Sequence, residues 1–364
     1  MNCPYTTLPP SSFWRQAVAE RSTPDLDPHL TAQLRFGPEQ RIASAGSCFA
    51  QHISRALKER GYNYYVTEPA PPHLTPEQEE RFGYGVFSAR YGNIYSTLQL
   101  LQLLQRAFGG FRPADQFWTN PDGWVFDLLR PRITPRGYVS MVEAEADLER
   151  HLQAVRQLIE TTDIFIFTLG LTESWVSKLD GTVYPTCPGC GSAGEYDDAK
   201  YAFHNLSVAE TTGYLGEAIN LMSAANPQLK IILTVSPVPL AATMEPRHVL
   251  QATTYSKSVL RVAAEEMVRR YDHVHYFASY EIITNAKNAG SYFAEDARTV
   301  TAEGVARAMA VFFAQFTKDG AGDAARSSGD YDVKRPAAAA PVAQIICDEN
   351  EFYRALAASR TIGR

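Results

Sequence analysis

Between residues 41 and 61 the hydrophobic rhythm of the chain changes from strand to helix. Arg41-Ile-Ala-Ser-Ala45 reads as a short strand ending in Gly46. Phe49, Ile53, Ala56 and Leu57 then recur at i, i+4, i+7 and i+8, one helical face, until Gly61 stops it. Gly46-Ser47-Cys48 therefore sits where a strand turns into a helix. A looser stretch over 62–147, full of Tyr, Pro and Gly, contains one clear helix around Ser96–Phe108 and reads as an irregular insertion of the kind that walls a site. A helix bearing Leu148, Leu152, Val155, Leu158 and Ile159 leads into Asp163-Ile-Phe-Ile-Phe-Thr-Leu-Gly170, a nearly continuous apolar run expected of a strand covered on both faces. After a turn-rich loop from Gly181 to about Glu195, the pattern predicts a helix over 208–224 and a strand over 230–236, stopped by Pro237 and Pro239. A helix over 253–270, a strand near Val274–Phe277 and a helix over 301–317 follow. Strands alternating with helices predict parallel βαβ units in a three-layer α/β sandwich. Residues 1–40 read as an N-terminal arm, 41–317 as the α/β domain, and 318–364 as a low-complexity linker with a short C-terminal helix.

Composition narrows the partners. The chain has 364 residues, 45 % of them hydrophobic, and a formal net charge of −6 without a Lys/Arg-rich run. That argues against nucleic acid or an anionic membrane as partner. No apolar stretch approaches the roughly 18–20 residues of a membrane span, and the start of the chain lacks a signal-peptide core. A cytoplasmic protein is expected, with room for a homo-oligomer. Five scattered cysteines do not form a secreted disulfide framework. Cys187-Pro-Gly-Cys190 is half of a zinc pattern without a second half, so a turn carrying two thiols is expected and no metal. Glu195, Asp197 and Asp198 read as a solvated loop, and no glycine pattern suits a phosphate loop or other cofactor.

The chemistry concentrates at strand ends, where open parallel sheets bind ligands. A thiol at a strand-to-helix turn lies at a helix N-terminus, whose N–H groups and dipole favour a thiolate and could receive an oxyanion. A cysteine there can also be simply a small residue that fits the corner. Of the eight histidines, His204 after the 181–200 loop is the one placed to reach such a site, while His52 lies one helical turn beyond Cys48. His29, His73 and His151 have nothing chemical beside them in sequence. Ser256-Lys257 looks like a Ser–Lys dyad, but neighbours on a helix face different directions.

The string AGSCFAQHI resembles the signature of the GSCFA family, which is related to the SGNH (GDSL-like) esterases and acyl hydrolases. NIYSTLQLLQL, FTLGLTESW, TVSPVPLAAT, YSKSVLRVA and YFASYEI resemble further blocks of that family, in order, over roughly residues 10–315. The resemblance implies a flavodoxin-like SGNH-type sandwich with a parallel central sheet. It places Cys48, or else Ser47, at the nucleophile position after Gly46. It also implies an oxyanion site from Gly92, with Asn93 beside it, and from Gly170-Leu171-Thr172-Glu173, where Thr172 stands for an amide. The final Asp-x-x-His block falls on Asp296-Ala297-Arg298-Thr299, with Thr299 in place of the base. Two functions follow from this. One is an acyl-ester or thioester hydrolase or acyltransferase acting on a small acylated metabolite or sugar ester through an acyl-enzyme on Cys48. The other is a catalytically silent binding or scaffold protein that retains the fold.

Overall fold

The computed structural model describes residues 3–23, 26–29, 34–190 and 193–320. The chain divides into two compact units: Glu39–Tyr276 forms the larger, and the segments up to Pro38 and from Phe277 form the smaller. The linker and C-terminal helix expected after 320 lie outside the described residues.

In the larger unit the elements run β1 (Ile42–Gly46), α1 (Ala50–Glu59), α2 (Pro76–Arg81), α3 (Thr97–Ala107), β2 (Phe117–Thr119), β3 (Val125–Asp127), α4 (Met141–Thr161), β4 (Ile164–Leu169), β5 (Glu173–Ser177), β6 (Val183–Tyr184), β7 (Tyr201–Asn205), α5 (Val208–Ala225), β8 (Lys230–Val235) and α6 (Val249–Arg270). The fourth strand of the main sheet is β9 (Val274–Phe277), in the order β1-β4-β8-β9. β1 and β8 both run parallel to β4, with Ser44 opposite Ile166 and Ile166 opposite Ile232. Every residue of β4 is buried, as its unbroken apolar run requires of a strand covered on both faces. This four-stranded parallel sheet flanked by helices is the α/β architecture the sequence predicts.

The structure adds a second sheet that the hydrophobic pattern does not show. β5 pairs antiparallel with β6 on one side and β7 on the other, so the loop expected from Gly181 to about Glu195 contains a strand, β6, and is flanked by two that the pattern does not predict. Its strands are short and carry Glu173, Ser174, Ser177, His204 and Asn205, which blur the alternation that marks a strand. The 62–147 stretch likewise contains the antiparallel pair β2–β3.

The smaller unit contains α7 (Ser279–Thr284) and α8 (Ala302–Phe316). Its core is aromatic. Phe277 packs on Phe312 at 5.1 Å between ring centroids, and His29 stacks on Phe277 while its Nε2 accepts the Ala278 N–H at 3.2 Å. Phe36 joins the end of α8 through its backbone, accepting from Lys318 and donating to Phe316. Among the described residues no helix is long and apolar enough to cross a membrane.

Candidate functional site

Three backbone corners meet at the carboxyl ends of β1 and β4. The Ile94 N–H donates to Gly46 O at 2.8 Å, bringing the 91–95 loop to the end of β1. The Gly170 and Leu171 N–H groups both donate to Tyr95 O, at 3.0 and 3.1 Å, tying the loop after β4 to the same place. Ser47 N–H donates to Thr168 O, which joins the first corner to the third. Glycine is required at this meeting point for stated reasons. A Cβ on Gly170 would lie 3.0 Å from both Ser47 Cβ and Tyr95 O, and Gly92 has φ +69°, which L side chains rarely adopt.

Cys48 is half-buried and forms no disulfide, in the turn that Ala50 N–H closes onto Ser47 O at 2.8 Å. Ser47 beside it is buried, and its Oγ has no hydrogen-bond partner. A buried unpaired hydroxyl costs about 1–3 kcal/mol, so Ser47→Ala should leave the melting temperature unchanged or raised. A drop of several degrees on thermal unfolding would show that the hydroxyl has a partner after all. Asn93 is buried, and its Oδ1 accepts from Gln51 Nε2 on α1 at 3.4 Å, which fixes the amide with Nδ2 as its donating end. A narrow cavity lies beside Gly92 and Asn93; its lining does not include Cys48.

Thr172 is placed at the site, but its hydrogens are spent. Its hydroxyl donates to Asn205 Oδ1 at 2.7 Å, while Asn205 Nδ2 donates to Glu245 Oε1 at 3.1 Å, fixing that amide's orientation. The Thr172 N–H donates to Ser256 Oγ at 3.0 Å. Thr172 therefore positions the loop and holds no donor for an oxyanion in this arrangement. The Ser256-Lys257 pair, set aside above as a dyad, holds backbone of this loop: Lys257 is buried on α6, and its Nζ donates to Gly170 O at 2.6 Å. Glu173 opens β5 and accepts from Thr243 Oγ1 at 2.6 Å; burial pushes its carboxyl above the usual range, with the Thr243 bond opposing.

His204 turns to another task. Its Nε2 meets Glu210 Oε1 at 2.8 Å, while Glu210 Oε2 completes the capping box of α5 with Ser207. Asp296 and Thr299 belong to the smaller unit and close on each other. The Thr299 hydroxyl donates to Asp296 Oδ2 at 2.6 Å, and the Thr299 and Arg298 N–H groups donate to Oδ1. These bonds, the Thr299 hydroxyl first, hold the Asp296 carboxyl below its usual range, so this turn offers a satisfied carboxylate and no base. Cys187 and Cys190 share a turn in which Cys190 N–H donates to Cys187 O; burial and the neighbouring thiol push the Cys187 thiol up. Among the described residues no cluster of three or more His, Cys, Asp or Glu side chains is disposed to hold a metal.

Two histidines are neutral at working pH. Burial, then Arg55, pushes His52 down to about 4, and its ring packs edge-on to Phe49 at 5.5 Å. His151 is wholly buried, its Nδ1 2.8 Å from Glu68 Oε2; burial and then Arg130 outweigh that carboxylate and leave it also at about 4. With folded values below the ordinary 6.5, the unfolded chain binds protons that the folded one refuses. Stability is therefore complete above pH 6.5 and falls as pH drops from 6.5 to 4, by on the order of 3 kcal/mol for His151. Urea midpoints should fall between pH 7 and pH 5, and His151→Gln should flatten that fall. A wild-type midpoint that does not move in this window would contradict the assignment.

A search of curated proteins finds no match to the chain. Among solved structures it is similar to a carbohydrate esterase family 3 from Talaromyces cellulolyticus, at 12 % identity over 65 % of this chain and 93 % of that one, with a TM-score of 0.27. The family model of the GSCFA family matches residues 41–312, from the first residues of β1 into α8 and across every corner of the site, and the chain belongs to that family.

Proposed function

We propose that the protein is an acyl-ester or thioester hydrolase or acyltransferase of the SGNH type, acting on a small acylated metabolite or sugar ester with Cys48 as covalent nucleophile. The observation that carries this reading is the contrast at the first corner. Cys48 is only half-buried at the N-terminal turn of α1, and Ser47 is buried with its hydroxyl.

A thiolate is favoured at such a turn by the helix dipole, so this nucleophile depends less on a base than a serine would. Thr299, closed on Asp296, is then a tolerable loss rather than a fatal one. Cys48 Sγ adds to the acyl carbon, and the carbonyl oxygen takes the developing charge towards the N–H groups of Cys48 and Gly92 and the Asn93 amide. The bond to the leaving oxygen or sulfur breaks, and the leaving group takes a proton from water. Water or an acceptor hydroxyl then attacks the acyl-enzyme and gives up its proton to the hydroxide left in solvent, the C–S bond breaks, and the thiolate returns. Ser256 and Lys257 act on this chemistry through the Gly170–Thr172 loop, as positioning residues.

The test is intact-mass spectrometry after incubation with activated acyl esters and thioesters over pH 6–9. A single acyl adduct mapping to Cys48 is expected in the wild type and in Ser47→Ala, and none in Cys48→Ala. A folded wild type that forms no adduct with any probe would overturn the covalent mechanism. It would favour the binding-protein reading, which the mutually satisfied Asp296–Thr299 turn also suits.

A further inference from the structure

Adjoining the cavity beside Gly92 and Asn93 is a second narrow one; the two share Tyr91, Leu129 and Arg130. Its polar lining is unusual for what it leaves unspent. Gln99 gives Nε2 to Asn93 O at 2.8 Å and takes the Tyr95 N–H on Oε1. Gln102 gives Nε2 to Gly181 O and takes the Val183 N–H on Oε1, both at 2.8 Å. The Tyr91 hydroxyl donates to Ser44 O. Each of these groups is occupied by backbone, so none offers the cavity a matched partner.

The guanidiniums differ. Arg106 is 8 % exposed, and neither its Nε nor its Nη2 has a hydrogen-bond partner. Those two N–H groups form one edge of the guanidinium, the fork that takes a planar oxyanion through two parallel bonds. Arg130 is 2 % exposed and clamped by Asp127 through Nε at 2.8 Å and by Asp147 through Nη2 at 3.0 Å, while its Nη1 is buried without a partner. Asp127 attracts Arg106 at a distance, but its oxygens already accept from Arg130, the Leu129 N–H and Gln116. Burial, and then the nearby Arg130, leave Arg106 at about 10 despite that attraction. Arg106 and Arg130, with three side-chain nitrogens buried and without a hydrogen-bond partner, thus belong to the lining of a cavity whose other polar side chains already bond to backbone. A buried charge left this way is costly unless a ligand completes it.

We propose that Arg106 and Arg130 form a receptor for an oxyanion, a carboxylate or phosphate carried by the ligand, with the side-on edge of Arg106 as its principal contact. That this ligand is the acylated substrate rests on the acyl-transfer reading; the receptor itself does not. The walls shared with the cavity at Gly92–Asn93 make the acid group a second point of attachment for the molecule whose acyl carbon is to react. The implied substrate class is an ester or thioester that also bears an acid.

The experiment titrates the full chain with inorganic phosphate, with malonate and with chloride at matched ionic strength, followed by calorimetry and thermal unfolding. Saturable binding of phosphate or malonate above the chloride response is expected, and whichever arm responds identifies the anion. Arg106→Met should weaken that binding at least tenfold and should melt no lower than wild type in anion-free buffer, because it removes an uncompensated buried charge. Arg106→Lys keeps the charge but loses the fork, and should also weaken binding. Cys48→Ala should bind the anion as wild type does, so failure of the acyl-enzyme leaves this result readable. The proposal is overturned if wild type binds neither anion beyond chloride, if Arg106→Met binds like wild type, or if Arg106→Met melts well below wild type in anion-free buffer.

Discussion

Replacing Asp147 by alanine is expected to destabilise the protein by about 3–5 kcal/mol, the cost of stripping a buried ion pair of one partner. Asp147 is 7 % exposed and ties three elements together. Its Oδ1 accepts from Arg90 Nη1 at 3.0 Å, and its Oδ2 accepts from Arg130 Nη2 at 3.0 Å and from the Tyr138 hydroxyl at 2.6 Å. Without it two buried guanidiniums and a phenol lose an acceptor in a place water does not replace. Burial alone would raise this carboxyl, but Arg130 and then Arg90 hold it at about 2. Its contribution is thus full above pH 3.8 and is lost as pH falls from there through 2, below the window in which His151 acts. Urea unfolding at pH 7 measures the loss, and the double variant Asp147→Ala/Arg130→Met should recover part of it. A single-variant loss under 1 kcal/mol would mean that the pairs are not closed in solution.

Gly46→Ala should be comparably severe. Gly46 ends β1 at φ +141°, and a Cβ there would lie 2.5 Å from Thr168 O and 2.7 Å from Thr168 Cβ on β4. Both are held in a buried parallel ladder where Gly46 pairs with Thr168. The variant therefore combines backbone strain of about 1–3 kcal/mol with overpacking of about 1–3 kcal/mol. The damage falls on the strand that presents Ser47 and Cys48. Circular dichroism melting should show a large fall for Gly46→Ala and a smaller one for Gly92→Ala, whose Cβ would meet nothing within 4 Å. Equal, small effects would place the end of β1 elsewhere.

These two positions show what could be read from sequence and what could not. Gly46-Ser47-Cys48 was legible because a strand pattern stops at a glycine and a helical one starts three residues later. The β4 run was legible because a doubly covered strand has no polar face. Asp147 and Arg130 were not, because a charged residue in an irregular segment or on a helix reads as solvent-facing until the pairing of Asp147 with Arg130, 17 positions away, and with Arg90, 57 away, is known. His151 was missed in the same way: its partner Glu68 lies 83 residues off. On α3 a signal was present. Gln99, Gln102 and Arg106 recur at i, i+3 and i+7 on a helix otherwise filled with leucine, which makes a polar stripe on a helix with no surplus apolar face to expose. Thr172 carried no such signal, since only the Asn205 contact shows where its proton goes.

That stripe turns α3 into a ruler. Gln99 grips the Asn93–Tyr95 backbone at one end, and Arg106 faces the second cavity seven residues on, a rise of about 10 Å along a rod that does not compress. If the acid bound at Arg106 belongs to the molecule that reacts at Cys48, acids too short to reach both groups should act as competitors and not as substrates, and a homologous series of acid-bearing esters should show a step in KM where the chain first becomes long enough.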